Sequence, residues 1–128
     1  MNSNGQIKLF IVEDNFVYSF TLEAMLKEHG NFKITSLNTG EECLERLDNN
    51  PDIIILDYNL GGKLNGSETF RMIHSKKPQI PVIIISNQKD VQVAADLMKN
   101  GVFDYIQKSG SEIAFTKLRD SVFKALNM

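Results

Sequence analysis

The chain has 128 residues, of which 42% are hydrophobic, and carries a formal net charge of −2. That size predicts a single domain over residues 1–128, with an ordered core from about residue 7 to about residue 127. The acidic net charge and the scattered lysines and arginines exclude the concentrated basic surface on which direct nucleic-acid binding depends.

The start of the chain and its cysteine content predict a cytoplasmic protein. Residues 1–6 have neither the basic nor the apolar region of a signal peptide, and no apolar run is long enough to cross a membrane. The single Cys43 cannot form an internal disulfide, and its neighbours lack metal-ligand spacing. No membrane association is therefore expected.

Five short apolar runs are predicted to be β-strands, at residues 7–12, 32–37, 51–57, 81–86 and 102–107. The third and fourth are continuous branched aliphatic runs, which are typical of strands buried on both faces. The second alternates apolar and polar residues, which predicts a strand at or near an edge of the sheet.

Helical periodicity separates these strands. It predicts helices over residues 15–29, 67–77 and 90–100, a second helix capped by Thr39 and ending before Asn49, and a last helix that begins at Ser109 or Ser111. The predicted apolar face of the first helix comprises Phe16, Phe20, Leu22, Ala24, Met25 and Leu26. In the fourth helix it comprises Val91, Ala94, Ala95 and Met98, and in the last Phe115, Leu118, Val122 and Leu126.

Strand and helix alternate five times with short connections. This pattern predicts an α/β fold of five βα units, in which right-handed crossovers place helices on both faces of a five-stranded parallel sheet. The common strand order for five such units is 2-1-3-4-5. The weakly apolar second strand fits that order because it then lies at an edge.

Polar side chains follow four of the predicted strands. Glu13 and Asp14 follow the first strand, Asp57 ends the third, Ser86 ends the fourth and Lys108 follows the fifth. Each alone could be a helix cap or ordinary surface. Because the carboxyl ends of parallel strands meet at one edge of the sheet, we expect all five side chains to lie close together.

Three neighbouring carboxylates would repel one another unless a cation compensates them, and Mg2+ is the natural partner. Asp14 and Asp57 could bind it directly, with Glu13 acting through water. Asp57 could then attack phosphorus, because an ionised carboxylate needs no general base. Lys108 would supply a second positive charge, and the Ser86 hydroxyl could donate to a phosphoryl oxygen.

The strand ends together resemble the signature of response-regulator receiver domains. The segments that carry the resemblance are Val12-Glu13-Asp14-Asn15, Ile54-Ile55-Leu56-Asp57, Ile84-Ile85-Ser86 and Tyr105-Ile106-Gln107-Lys108. The resemblance implies a flavodoxin-like sandwich in which Asp57 accepts a phosphoryl group from a histidine kinase or a phosphotransfer protein. It also implies that the backbone carbonyl of Asn59 joins Asp14 and Asp57 in holding Mg2+, with Glu13 assisting.

The resemblance further implies a switch. Ser86 would move to bond the phosphoryl group, and Tyr105 would turn inward behind it, which remodels the face formed by the fourth helix, the fifth strand and the fifth helix. Alternatively, Tyr105 is an edge-strand aromatic that only packs. The expected binding partner of this face is a downstream protein or an effector domain, and the resemblance is also compatible with a phosphorylation-linked dimer.

Three features depart from the family pattern. The loop after the third strand has Gly61 where the family often has proline and is about one residue longer, which leaves the path around Asn59 open. Lys108 is followed by Ser109 instead of a cis proline, and a cis bond to a non-proline residue costs about 3 kcal/mol. Either that bond is retained or the loop takes another path. Gln88 lies at a position that varies among family members, and the residue there could affect the access of attacking water to the phosphoryl group.

Three other functions compete with the phosphorylation switch. A phosphohydrolase with an aspartate nucleophile commonly has a second aspartate two residues later, but Asn59 occupies that position. A flavin-binding module would place phosphate beside Glu13 and Asp14, which would repel it. A receiver-like module that is never phosphorylated would not need the acidic residues. The sequence therefore predicts a signalling switch that is not an enzyme, either as a single-domain regulator or as part of a longer one.

Overall fold

The computed structural model describes residues 5–88 and 90–128, so part of the N-terminal prediction for residues 1–6 lies outside the described residues. Strands and helices alternate throughout, in the order β1 (Ile7–Val12), α1 (Phe16–His29), β2 (Phe32–Leu37), α2 (Gly40–Glu45), β3 (Ile53–Asp57), α3 (Gly66–Lys76), β4 (Val82–Ser86), α4 (Val91–Lys99), β5 (Asp104–Gln107) and α5 (Glu112–Ala125). A short 3-10 helix, Leu47–Asn49, follows α2.

The five strands form one parallel sheet in the order β2-β1-β3-β4-β5, which confirms the predicted fold class and strand order. β2 lies at an edge, as its alternating pattern predicted, and its middle residues are partly exposed. All residues of β3 and β4 are buried, as expected for continuous aliphatic strands covered on both faces.

Two apolar layers cover the two faces of the sheet. Because successive strand side chains point to opposite faces, Ile54 and Leu56 of β3 pack under α2, α3 and α4, whereas Ile53 and Ile55 pack under α1 and α5. α5 contributes Leu118 and Val122 to the second layer, with Phe115 and Leu126 packed against them, which confirms its predicted apolar face. None of the helices within the described ranges combines the length and the apolar character needed to span a bilayer.

Polar side chains cap the helices close to the predicted positions. Asn65 caps α3 in a capping box with Glu68, so the helix begins one residue earlier than the predicted start at Ser67. Ser111 caps α5 by accepting a hydrogen bond from Ala114 N at 3.1 Å, which decides between the two predicted starts of that helix.

The predicted apolar face of α1 is confirmed for Leu22 and Leu26 but wrong for the two phenylalanines. Phe16 and Phe20 are 76% and 62% exposed, and the buried residues of α1 are Ser19, Leu22 and Leu26. The helix has apolar residues on two sides, and its packing against β2 and α5 selects the side that carries the leucines. The two phenylalanines stack on each other at the surface, with ring centroids 6.0 Å apart.

The predictions for α4 and β5 also need correction. Val91 is 73% exposed and Met98 is also exposed, whereas Leu97 is the buried residue of α4. β5 begins at Asp104, not at residue 102, because the backbone N–H of Val102 bonds to the Leu97 carbonyl at the end of α4 and so still belongs to the helix terminus.

Candidate functional site

The carboxyl edge of the sheet carries a buried ion-pair cluster. The Lys108 ammonium lies 2.7 Å from Glu13 Oε1 and 3.3 Å from Asp57 Oδ2, and the two carboxylate residues are each 2% exposed. Glu13 and Asp57 reach this edge because β1 and β3 are neighbours in the sheet. Lys108 reaches it from beyond β5, where its backbone N–H bonds to the Ser86 carbonyl at 2.6 Å.

Backbone hydrogen bonds fix the orientation of both carboxylates. The N–H of Asn59 donates to Asp57 Oδ1 at 3.1 Å, and the N–H of Asn15 donates to Glu13 Oε2 at 3.0 Å. Each carboxylate therefore has one oxygen held by the chain and the other facing Lys108. Charge-assisted bonds of this kind are stronger than neutral ones, so the arrangement is well ordered before any ligand arrives.

The exposed Asp14 joins the cluster on the solvent side. Glu13, Asp14 and Asp57 each offer one carboxylate oxygen, and these oxygens lie within 4.8 Å of one another. An all-oxygen donor set with an open side suits Mg2+, which keeps several waters. With Lys108 as the neighbouring cation, the three carboxylates leave two uncompensated negative charges when all are ionised, which matches a divalent ion.

Burial sets the protonation of the cluster. Burial raises the pKa of Glu13 to about 7, hydrogen bonds from Lys108 and the Asn15 N–H oppose the increase, and the Asp57 charge adds to it. Burial alone would lower the pKa of Lys108, but its bond to Glu13 and the charges of Asp57 and Glu13 outweigh burial and raise it. Lys108 is therefore a permanent cation, whereas Glu13 gains or loses its proton near neutral pH.

The two predicted switch residues share one backbone partner. The Ser86 hydroxyl is buried and accepts a hydrogen bond from Gln88 N at 3.2 Å, while the Tyr105 hydroxyl donates to the Gln88 carbonyl at 3.1 Å. Tyr105 is half-buried and lies edge-on to Tyr58, with ring centroids 6.5 Å apart. Ser86 lies at the predicted edge, and the hydrogen bond described for its side chain is to this loop, not to Asp57.

The structure shows how the chain accommodates two of the departures from the family pattern. No peptide bond in residues 5–88 and 90–128 is cis, so Lys108 reaches the carboxylates although Ser109 follows it in a trans linkage. The loop after β3 is held by Glu41 of α2, whose carboxylate accepts a hydrogen bond from Leu64 N at 2.7 Å.

Sequence reasoning missed Tyr18 and Glu41 at this site. Tyr18 places its ring 5.2 Å from Lys108 Nζ. Burial and then the negative charges of Glu13 and Asp57 raise the pKa of the Tyr18 phenol. Neither residue belongs to a motif, and each reaches the site only through the rotation of its helix. The signal available for Tyr18 was the alternative apolar face of α1.

Comparisons with known proteins agree with this geometry. Residues 9–120 match the family model described as the response regulator receiver domain. The chain is 28% identical over 125 residues to the transcriptional regulatory protein ZraR of Klebsiella oxytoca, covering 97% of this chain and 27% of that protein. It is 29% identical over 128 residues to a protein-glutamate methylesterase/protein-glutamine glutaminase of Clostridium acetobutylicum, covering 96% of this chain and 36% of that protein. The chain thus spans about a third or less of the length of these relatives.

Solved structures show the same architecture. The signal receiver domain of a modulated diguanylate cyclase from Desulfovibrio desulfuricans G20 matches with a TM-score of 0.77 at 26% identity, covering 94% of this chain and 93% of that one. A CheY-like response regulator receiver domain protein from Methanospirillum hungatei JF-1 has the same fold, with a TM-score of 0.83 at 18% identity, and covers 95% and 94% of the two chains. The chain belongs to the receiver-domain family of two-component response regulators and has its flavodoxin-like fold.

Proposed function

We propose that the chain is a phosphorylation-controlled signalling switch in which Asp57 accepts a phosphoryl group from a histidine kinase or a phosphotransfer protein. The observation that carries the proposal is the position of Asp57: a buried carboxylate at the carboxyl edge, oriented by the Asn59 N–H and facing the Lys108 ammonium. We place this exchange in the cytoplasm, on the composition argument given above. The chain acts as a phosphoacceptor and does not turn over an outside substrate.

The acidic cluster fits a magnesium site. In this proposal Asp14, Asp57 and the backbone carbonyl of Asn59 hold the ion, and Glu13 assists through water. The support is the oxygen donor set of Glu13, Asp14 and Asp57 and its excess negative charge beside Lys108. When bound, Mg2+ supplies positive charge that offsets the charge on the phosphoryl oxygens.

The transfer needs little beyond positioning and charge compensation. A carboxylate oxygen of Asp57 forms the new bond to phosphorus while the P–N bond of the donor phosphohistidine breaks and the imidazole keeps the electron pair. No base is required because Asp57 reacts as the carboxylate. Lys108, already 3.3 Å from Asp57 Oδ2, offsets negative charge on the phosphoryl group.

Readout would begin at the loop that follows β4. Ser86 accepts a bond from Gln88 N, which leaves its O–H to donate to a phosphoryl oxygen. Because Tyr105 bonds to the carbonyl of the same Gln88, a movement of Ser86 would shift the Gln88 backbone and so change the hydrogen bond of Tyr105. The face formed by α4, β5 and α5 would then change its contacts with a downstream protein, an effector domain or a second copy of the chain.

Intact mass spectrometry tests the proposal. The chain is incubated with acetyl phosphate and Mg2+, alongside Asp57→Asn and the exposed control Asp48→Asn. We expect one phosphoryl group on the wild type and the control, dependent on Mg2+, and none on Asp57→Asn. Equal labelling of Asp57→Asn and wild type, or no labelling of the wild type together with no binding of a beryllium fluoride mimic, would contradict the proposal.

A further inference from the structure

An aromatic side chain borders the ion-pair cluster from the side of α1. The Lys108 ammonium lies over the ring of Tyr18, 5.2 Å from its centroid. On α5, the ring of Phe115 stacks on Tyr18 with centroids 5.5 Å apart and an interplanar angle of 25°. Tyr18 is half-buried and packs against the apolar layer under α1 and α5. Its ring is therefore fixed by both helices.

Lys108 needs such support because its own loop gives little. Ser109 and Gly110 after it are exposed, and among residues 5–88 and 90–128 the backbone of Lys108 is anchored by the bond from its N–H to the Ser86 carbonyl at 2.6 Å. Four rotatable bonds separate that anchor from the ammonium. The two carboxylates pull the ammonium unequally, at 2.7 Å for Glu13 and 3.3 Å for Asp57.

We propose that Tyr18 is a positioning residue for Lys108: its ring face holds the ammonium between Glu13 and Asp57, where it can meet a phosphoryl group on Asp57. The attraction comes from the ring and not from the hydroxyl, since a cation is drawn to the negative face of an aromatic ring. Phenylalanine at position 18 should therefore keep the ammonium of Lys108 in place, and an aliphatic residue should not. The consequence for phosphorylation rests on the function proposed above, whereas the contact itself does not.

Two measurements test this role. The first is the NMR shift of the Lys108 ε-methylene protons in metal-free protein, which a ring face moves upfield. We expect that upfield shift in the wild type and in Tyr18→Phe, and its loss in Tyr18→Leu. The second is the rate of phosphorylation by acetyl phosphate with Mg2+. Loss of a partly desolvated cation–π contact should slow Tyr18→Leu about three- to ten-fold, with Tyr18→Phe close to wild type.

Control variants separate positioning from packing. Phe20→Leu removes an exposed ring from α1 and should leave both measurements unchanged. Phe115→Leu removes the stacking partner of Tyr18 but leaves the Tyr18 ring. If Phe115→Leu slows phosphorylation as much as Tyr18→Leu while the Lys108 shift is unchanged, packing is the cause and the proposal is overturned. Tyr18→Met provides the same loss of the ring if Tyr18→Leu does not fold.

Four further outcomes also test the proposal. A Tyr18→Leu protein that keeps the Lys108 shift, or that is phosphorylated at the wild-type rate, overturns the proposal, as does a failure of Tyr18→Phe to restore both. If the wild type accepts no phosphoryl group but the shifts follow the expected pattern, the function proposed for Asp57 fails while the contact between Tyr18 and Lys108 stands.

Discussion

The buried carboxylate of Glu13 should make the metal-free chain less stable as the pH rises, and glutamine at this position should remove that effect. A carboxyl group whose pKa is raised from 4.5 to about 7 on folding contributes its full stability below the lower value, and that contribution is lost as the pH rises through the higher one. The stability lost through this titration is then roughly 1 kcal/mol near pH 5, where the unfolded chain already ionises, and approaches roughly 3 kcal/mol near pH 8.

Glutamine keeps one acceptor oxygen for Lys108 but turns its amide NH2 toward the Asn15 N–H, so one hydrogen bond is lost at every pH, while Asp57 remains the full ionic partner of Lys108. We therefore expect the stability of Glu13→Gln relative to the wild type to rise by about 2 kcal/mol between pH 5 and pH 8, because the lost hydrogen bond lowers it equally at both values. Urea denaturation of metal-free protein across that range measures the difference, with Glu28→Gln as an exposed control of equal charge change. If the stability of Glu13→Gln relative to the wild type does not rise with pH over this range, the ion pair with Lys108 outweighs burial and the reasoning fails.

Three other predictions concern the surroundings of the site. Glu41→Ala removes the acceptor for Leu64 N, so hydrogen exchange of that amide should become faster and stability should fall by about 1 kcal/mol; unchanged exchange would contradict the proposed hold on the loop. Gly66→Ala would place a Cβ 2.5 Å from the backbone carbonyl oxygen at the end of β3, and should lower the urea midpoint by the equivalent of at least about 2 kcal/mol. The control Gly110→Ala, whose Cβ would have no atom within 4 Å, should leave the midpoint unchanged. Similar midpoints for the two variants would show that the β3 backbone shifts to accommodate the Cβ. Burial raises the pKa of the Cys43 thiol to about 12, so iodoacetamide should react with it only after urea unfolds the chain, and rapid alkylation of the native protein would show local opening.

The fold could be predicted because its strongest signals are independent of the helices. Continuous aliphatic runs place β3 and β4 in the interior, and the alternating β2 belongs at an edge whatever the helix faces are. Parallel pairing then brings the strand ends to one edge, so topology places Glu13, Asp57 and Lys108 at the same edge, whereas their ion-pair distances depend on side-chain packing. The chemistry assigned to those residues stays a prediction.

Helix rotation and backbone contacts could not be predicted. α1 has aromatic residues on one side and leucines on another, and both fit a helical period, so the choice depends on the shape of the sheet and of α5. The contact of Tyr18 with Lys108 depends on the same choice. Ser86 and Tyr105 bond to the backbone of Gln88. Every residue type except proline offers the same backbone groups, so the sequence does not indicate these bonds.

The loop between β3 and α3 is closed at its base. Gly66 N bonds to the Tyr58 carbonyl at 3.1 Å, and Tyr58 N bonds to the Ile85 carbonyl of β4 at 2.8 Å, so both ends of the loop are fastened next to Asp57. For a loop whose ends are held together, each doubling of length costs only about 0.6 kcal/mol in chain entropy. Residues beyond Asn59, whose N–H orients Asp57, can therefore be inserted or removed before Gly66, as a way to widen or narrow the approach to Asp57, without moving the carboxylate itself.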